Sequence, residues 1–219
     1  MERRDMGIFL AAEASLYAAF LLLDITGAAP SASDLIKYAS VALCFLWRLG
    51  KKDPVLTAAQ GFVLVADCFL LFTDRFAPGI FAFLAVHLCY RLFLTRREKR
   101  SRGVLIWAFC MAAAFLLIAA AKMDAVTVLA VFYAAFLLWN AASALRRGGR
   151  LFAAGLLLLI FCDVNVALWN LPSPPIPAAL RLFAGFAMWF FYLPSQVFVA
   201  FAADRREKCP PDRSQNGPI

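Results

Sequence analysis

Eight apolar runs, at about 7–24, 35–49, 57–73, 77–95, 103–121, 125–145, 151–170 and 178–203, take up almost the whole chain and leave no stretch for a water-soluble domain. Each is close to the ~20 residues that an α-helix needs to cross a ~30 Å hydrocarbon layer. Backbone groups in hydrocarbon must be paired within their own segment, so runs of this length read as helices. Composition agrees, with 63% of residues hydrophobic and 16% charged, a balance that a soluble domain of 219 residues would find hard to hide. The expected fold is an all-α membrane protein, a bundle of eight transmembrane helices forming one domain over 1–204. A flexible, polar, Pro-rich tail is expected over 205–219.

The basic residues test the number of spans independently, because Lys and Arg collect in short cytoplasmic loops. Seventeen of the 22 lie on alternate segments: Arg3 and Arg4, then Arg48, Lys51 and Lys52, then Arg96 to Arg102, then Arg146, Arg147 and Arg150, then Arg205 to Arg213. The intervening segments hold one each (Lys37, Arg75, Lys122, Arg181), and Arg91 falls inside the fourth run. This order places both termini in the cytoplasm and makes the protein a multi-pass membrane protein, of the plasma membrane in a bacterial cell. The net charge of +8 follows from that topology and from anionic lipid at the inner surface, so nucleic acid is not an expected partner. Five of the six cysteines lie in apolar runs without CxxC spacing and read as reduced packing residues. The N-terminal run continues through Glu13 to Leu23 without a small-residue cleavage site, so the first helix is expected to stay with the mature protein.

Within these runs the polar residues stand out, because an ionisable group in hydrocarbon costs about 2.5–3.5 kcal/mol on insertion scales. Asp67 lies deep in the third run and His87, the single histidine, in the fourth. Counted from the run edges they sit at similar depth near the midplane, and the short TDRFAPG turn makes the two helices neighbours, so the pair is expected to meet. Gln60, Asp67 and Asp74 recur every seven residues and form one stripe; Tyr90 and Arg91 extend the face of His87. Glu13 enters the first run with Tyr17 at i+4, and either pairs with Arg3 or Arg4 or joins a polar cavity. Tyr133 and Asn140 form a softer heptad stripe, Asp163 and Asn165 lie deep in the seventh run, and Tyr192 and Gln196 share a face of the eighth. Pro194 between them frees a backbone carbonyl that a neighbouring polar group or water can use. G-x5-D in the third run and G-x7-D in the seventh hint at a tandem duplication of four spans. Together these residues predict a polar cavity near the midplane.

Several chemistries fail on residue counts. One histidine cannot build a three-histidine zinc centre, and G-x-S-x-G and P-loop motifs are absent from the sequence. Two deep aspartates remain. Paired carboxyls, one protonated and one ionised, suit general acid catalysis followed by attack of water on a cationic intermediate. Such residues also hold helices together, at ~0.6 kcal/mol a pair, but two midplane acids in one small chain are a high cost for that purpose. A small transporter or lipid-binding protein, with Asp67, His87 and Asp163 as a proton or ligand site, is the alternative reading.

The blocks GFVLVADCFLLF, FAPGIFAFLAVHLCY, GLLLLIFCDVNVALW and FYLPSQVFVAFA resemble the YhhN family of eight-span membrane proteins, whose animal members are lysoplasmalogenases. The resemblance covers the third, fourth, seventh and eighth runs. It implies a metal-independent, cofactor-free hydrolase that splits the vinyl ether of 1-alkenyl-lysophospholipids into a fatty aldehyde and glycerophospho-ethanolamine or -choline, with membrane lipid around it. It also implies Asp67 and Asp163 as the catalytic acids, with His87, Tyr90, Tyr192 and Gln196 in support; Arg91, Asn165 and Glu13 complete the candidate site. Cys162 stands where the family often has the Ser of an SD motif, and Lys37-Tyr38 replaces a Lys-Pro pair.

Overall fold

The computed structural model describes residues 3–73, 75–95, 102–146, 149–170 and 177–202. These form eight α-helices: α1 (Arg3–Thr26), α2 (Pro30–Leu49), α3 (Pro54–Phe72), α4 (Phe76–Thr95), α5 (Arg102–Ala119), α6 (Ala125–Arg146), α7 (Arg150–Asn170) and α8 (Ala178–Phe201). The protein is an all-α, multi-pass membrane bundle. Asp74, most of the α7–α8 loop, much of the Arg96–Arg102 cluster and the tail fall outside the described residues.

Local chemistry sets the ends. Ala29 takes a left-handed conformation (φ 46°) and Pro30 starts α2 at a position where its missing N–H is not needed. Asp53 caps α3, accepting from the Leu56 N–H at 3.3 Å, with Pro54 as the first helical residue. This start extends α3 by nearly a turn beyond the apolar run beginning at 57.

Among the described residues, six helices are long and apolar enough to cross a membrane, and a shorter apolar stretch, Gly103–Ala119, lies in α5. The exception among the eight expected spans is α2, and its burial pattern explains why. Ser33, Lys37, Ser40 and Arg48 are buried inside the bundle while Leu35, Leu46 and Leu49 are exposed. Its polar face points inward and its apolar face outward, so low mean hydropathy coexists with a lipid-compatible surface. Phe109, Phe115, Leu105, Leu182 and Phe183 repeat that outward apolar character on α5 and α8.

Successive helices pack as antiparallel neighbours, most extensively in the α3–α4 and α7–α8 hairpins. Glycines bring the backbones together: a Cβ on Gly155 would lie 2.9 Å from Val199 Cγ2 and 3.0 Å from the Ser195 carbonyl oxygen, and one on Gly79 would lie 2.8 Å from Leu70 Cδ2. α6 lies against α4 and α7, and α2 against α3 and α8. The two main hairpins face one another without extensive backbone contact among the described residues, and side chains fill the space between them.

Candidate active site

Five helices contribute to one polar layer between those hairpins. Asp67 of α3 is 2% exposed, and the Tyr192 hydroxyl of α8 donates to its two carboxyl oxygens at 2.8 and 2.7 Å. Asp163 of α7 is half-buried and accepts from the Tyr133 hydroxyl of α6 at 2.7 Å, through Oδ2 alone. Phe83 of α4 stands edge-on to both tyrosines, 5.8 Å from Tyr133 and 6.4 Å from Tyr192. Both tyrosines keep their rings among apolar neighbours and give their hydroxyls to a carboxyl, the arrangement that a buried phenol requires.

His87 does not meet Asp67. Leu70 opposes Gly79 in the hairpin, which sets Asp67 level with Ala82 and His87 about five residues, roughly 8 Å, farther toward the end where α3 begins. The turn lies unequally between them: Asp67 is five residues before the end of α3 at Phe72, whereas His87 is eleven residues past the start of α4 at Phe76. The partner of His87 is Asn140 of α6, whose Nδ2 donates to the His87 carbonyl at 2.9 Å and lies 3.4 Å from Nδ1. Tyr90 packs edge-on to His87 and to Phe152. On the same level, Gln60 Nε2 donates to Gln196 Oε1 across the hairpins at 3.4 Å, and Gln196 Nε2 donates to the Ser195 hydroxyl at 3.3 Å.

The other candidates occupy separate places. Glu13 is buried against α2, where the Ser40 hydroxyl and the Cys44 thiol donate to it. Tyr17, one turn on, donates instead to the carbonyl of Phe190 at 3.0 Å; this is the carbonyl that Pro194, lacking an N–H, leaves without its helical donor. Asn165 turns its amide back onto Phe161 of its own helix. Arg91 donates to Ser143 at 2.8 Å with its guanidinium 3.9 Å from the Trp139 ring centre, about nine residues from the acid layer.

Sequence patterns did not single out two contributors. Tyr133 carried a signal, its heptad spacing from Asn140, but nothing tied it to Asp163. Lys37 is buried on the opposite side of the acid layer from His87, ion-paired to Asp24 at 2.9 Å and over Trp189 at 5.0 Å. Trp189 in turn packs edge-on to Tyr192 at 5.4 Å, so the ion pair braces the helix that presents Tyr192 to Asp67. No group of three or more His, Cys, Asp or Glu side chains with metal-binding geometry occurs among the described residues.

Among known proteins, the sequence model of the YhhN family matches residues 32–203, from the first turn of α2 to the end of α8. No curated protein and no solved structure matches the chain.

Proposed function

From the premise that this chain belongs to the YhhN family, we propose that it hydrolyses the vinyl ether of 1-alkenyl-lysophospholipids, with Asp163 and Asp67 dividing the acid and electrostatic work. The observation that supports this reading most is the pair of acids on one level between two hairpins, each held by a tyrosine hydroxyl from another helix.

An enol ether is cleaved by protonation at carbon. Asp163, half-buried and with Oδ1 outside the Tyr133 bond, delivers its proton to the β-carbon of the alkenyl chain. The π electrons form the new C–H bond and leave an oxocarbenium ion. Asp67, oriented by Tyr192, stands as the carboxylate that stabilises this cation. Water adds to the cationic carbon and returns a proton to Asp163. The resulting hemiacetal collapses to fatty aldehyde and glycerophospho-alcohol, so one water is consumed and the acid is restored. Gln196, bridged to Gln60, orients the incoming water or the glycerol hydroxyls. The basic end of the bundle faces the cytoplasm, and if the cell is bacterial the membrane it spans is the plasma membrane.

The test is aldehyde release from an alkenyl-lysophospholipid by purified protein in detergent. General acid catalysis contributes about 10²–10⁴-fold, so Asp163→Asn is expected to lower kcat at least ~100-fold. Asp67→Asn is expected to fall comparably, and Tyr133→Phe and Tyr192→Phe to retain intermediate rates. A wild type that releases no aldehyde, or aspartate variants with full activity, overturns the proposal.

A further inference from the structure

The chemistry above draws only Gln196 and its partner Gln60 from a second polar layer, roughly 8 Å from the acids. Gln60, His87, Tyr90 and Asn140 are all fully buried. Each holds one polar atom without a hydrogen-bond partner among the described residues: Gln60 Oε1, His87 Nε2, Tyr90 Oη and Asn140 Oδ1. Buried polar atoms in folded proteins are nearly always paired, so four on one level of a bundle point to an occupant. His87, Tyr90 and Asn140 are in direct contact. The contacts of Gly79 with Leu70 and with the Ala66 carbonyl set Gln60 level with the stretch of α4 from Ala85 to Cys89, which holds His87.

The donor pattern identifies the occupant's chemistry. Asn140 points Nδ2 at His87 Nδ1, which assigns Nδ1 as the acceptor and leaves the ring hydrogen on Nε2. Gln60 spends its amide nitrogen on Gln196, which leaves its carbonyl oxygen facing inward. The four atoms therefore supply one donor, two carbonyl acceptors and one hydroxyl able to do either. No carboxylate or cation bonds to any of them among the described residues. Two bare carbonyls would repel a phosphate, and two neutral donors without a cation could not offset its charge. An uncharged hydroxyl, which both gives and accepts, satisfies the set, and a buried water needs two to four such partners. The layer also borders the acids: the His87 ring lies 4.8 Å from that of Tyr133, whose hydroxyl holds Asp163.

We propose that Gln60, His87, Tyr90 and Asn140 line a neutral hydroxyl-binding chamber beside the acid layer, which takes water or a glycerol hydroxyl of the lipid. The lipid source rests on the hydrolase reading; the water source does not. Tyr90→Phe in the full-length protein separates them, because it removes one oxygen and keeps the ring packed against Phe152 and His87. In an empty chamber, deleting a bare buried hydroxyl leaves Tm unchanged or raises it. With water bound, the variant strands that water and Tm falls by several degrees. Kinetics with the parent lipid and an analogue lacking the 2-hydroxyl read the other source: Tyr90→Phe raises KM about tenfold for the parent and not for the analogue if the chamber takes the lipid hydroxyl. A lowered Tm with unchanged KM assigns the chamber to water. An unchanged or raised Tm together with KM values that the substitution leaves unchanged for both lipids overturns the proposal. A wild type without activity removes the hydrolase reading, and the thermal measurement still decides whether the chamber holds water.

Discussion

Tyr17→Phe deletes one oxygen atom from α1, yet its consequence lies on α8. Pro194 cannot donate to the carbonyl of Phe190, and the Tyr17 hydroxyl takes its place at 3.0 Å. Hydrocarbon offers no water to replace that donor. Interhelical hydrogen bonds in membranes average ~0.6 kcal/mol and reach ~1.7. A carbonyl left unpaired away from water costs about 1–3 kcal/mol. The loss here should therefore fall near the upper end of the membrane range, about 1.5 kcal/mol, roughly a tenfold change in the unfolding equilibrium. Pro194→Ala restores a backbone N–H at i+4, and in that background Tyr17→Phe should cost no more than about 0.5 kcal/mol, which leaves a coupling of about 1 kcal/mol. Unfolding of the four proteins of this cycle in mixed detergent micelles, followed by tryptophan fluorescence, measures it. A coupling near zero, with the two substitutions simply additive, refutes the claim that Tyr17 acts through the carbonyl that Pro194 frees.

Three further outcomes can be checked. Gly155→Ala pushes a methyl against the Ser195 carbonyl and Phe198, which are backbone or near-backbone atoms unable to yield; stability in the same unfolding assay should drop by about 1–3 kcal/mol, and aldehyde release should fall with it because Gln196 is displaced. Lys37→Met strands Asp24; because the Asp24 side chain keeps 20% exposure, the cost should be about 2 kcal/mol, below the ~3–5 of a fully buried pair, and Asp24→Asn in the same chain should recover part of it. The Thr127 backbone N–H, 2.7 Å from Asp124 at the start of α6, holds that carboxyl below its usual range. Its stabilisation is therefore present above pH ~4 and lost as pH falls through the depressed value, so the stability difference between wild type and Asp124→Ala should vanish on acidification. A difference that persists at low pH would assign the effect to something other than the ionised cap.

Much of the architecture was legible because the constraint is one-dimensional. Run length and the short TDRFAPG turn follow from hydrocarbon thickness and backbone pairing, which act residue by residue along the chain. Only α2 blurred the pattern, since Lys37 and Arg48 lower its hydropathy while facing inward. Deep Asp67 and Asp163 were visible as costly residues in apolar runs. Their partners were not, because a tyrosine in an apolar run looks alike whether it packs or donates.

The sequence by itself determined that this chain spans the membrane as helices, that α3 and α4 are neighbours, and which acids lie far from water. Tertiary structure decided the pairing: Tyr192 with Asp67, Tyr133 with Asp163, Asn140 with His87, and Tyr17 with the carbonyl freed by Pro194. The reason is geometric. Asp67 lies five residues from the end of α3 and His87 eleven from the start of α4, which sets them roughly 8 Å apart along the hairpin, and a hydrogen bond tolerates an error of only a few tenths of an ångström.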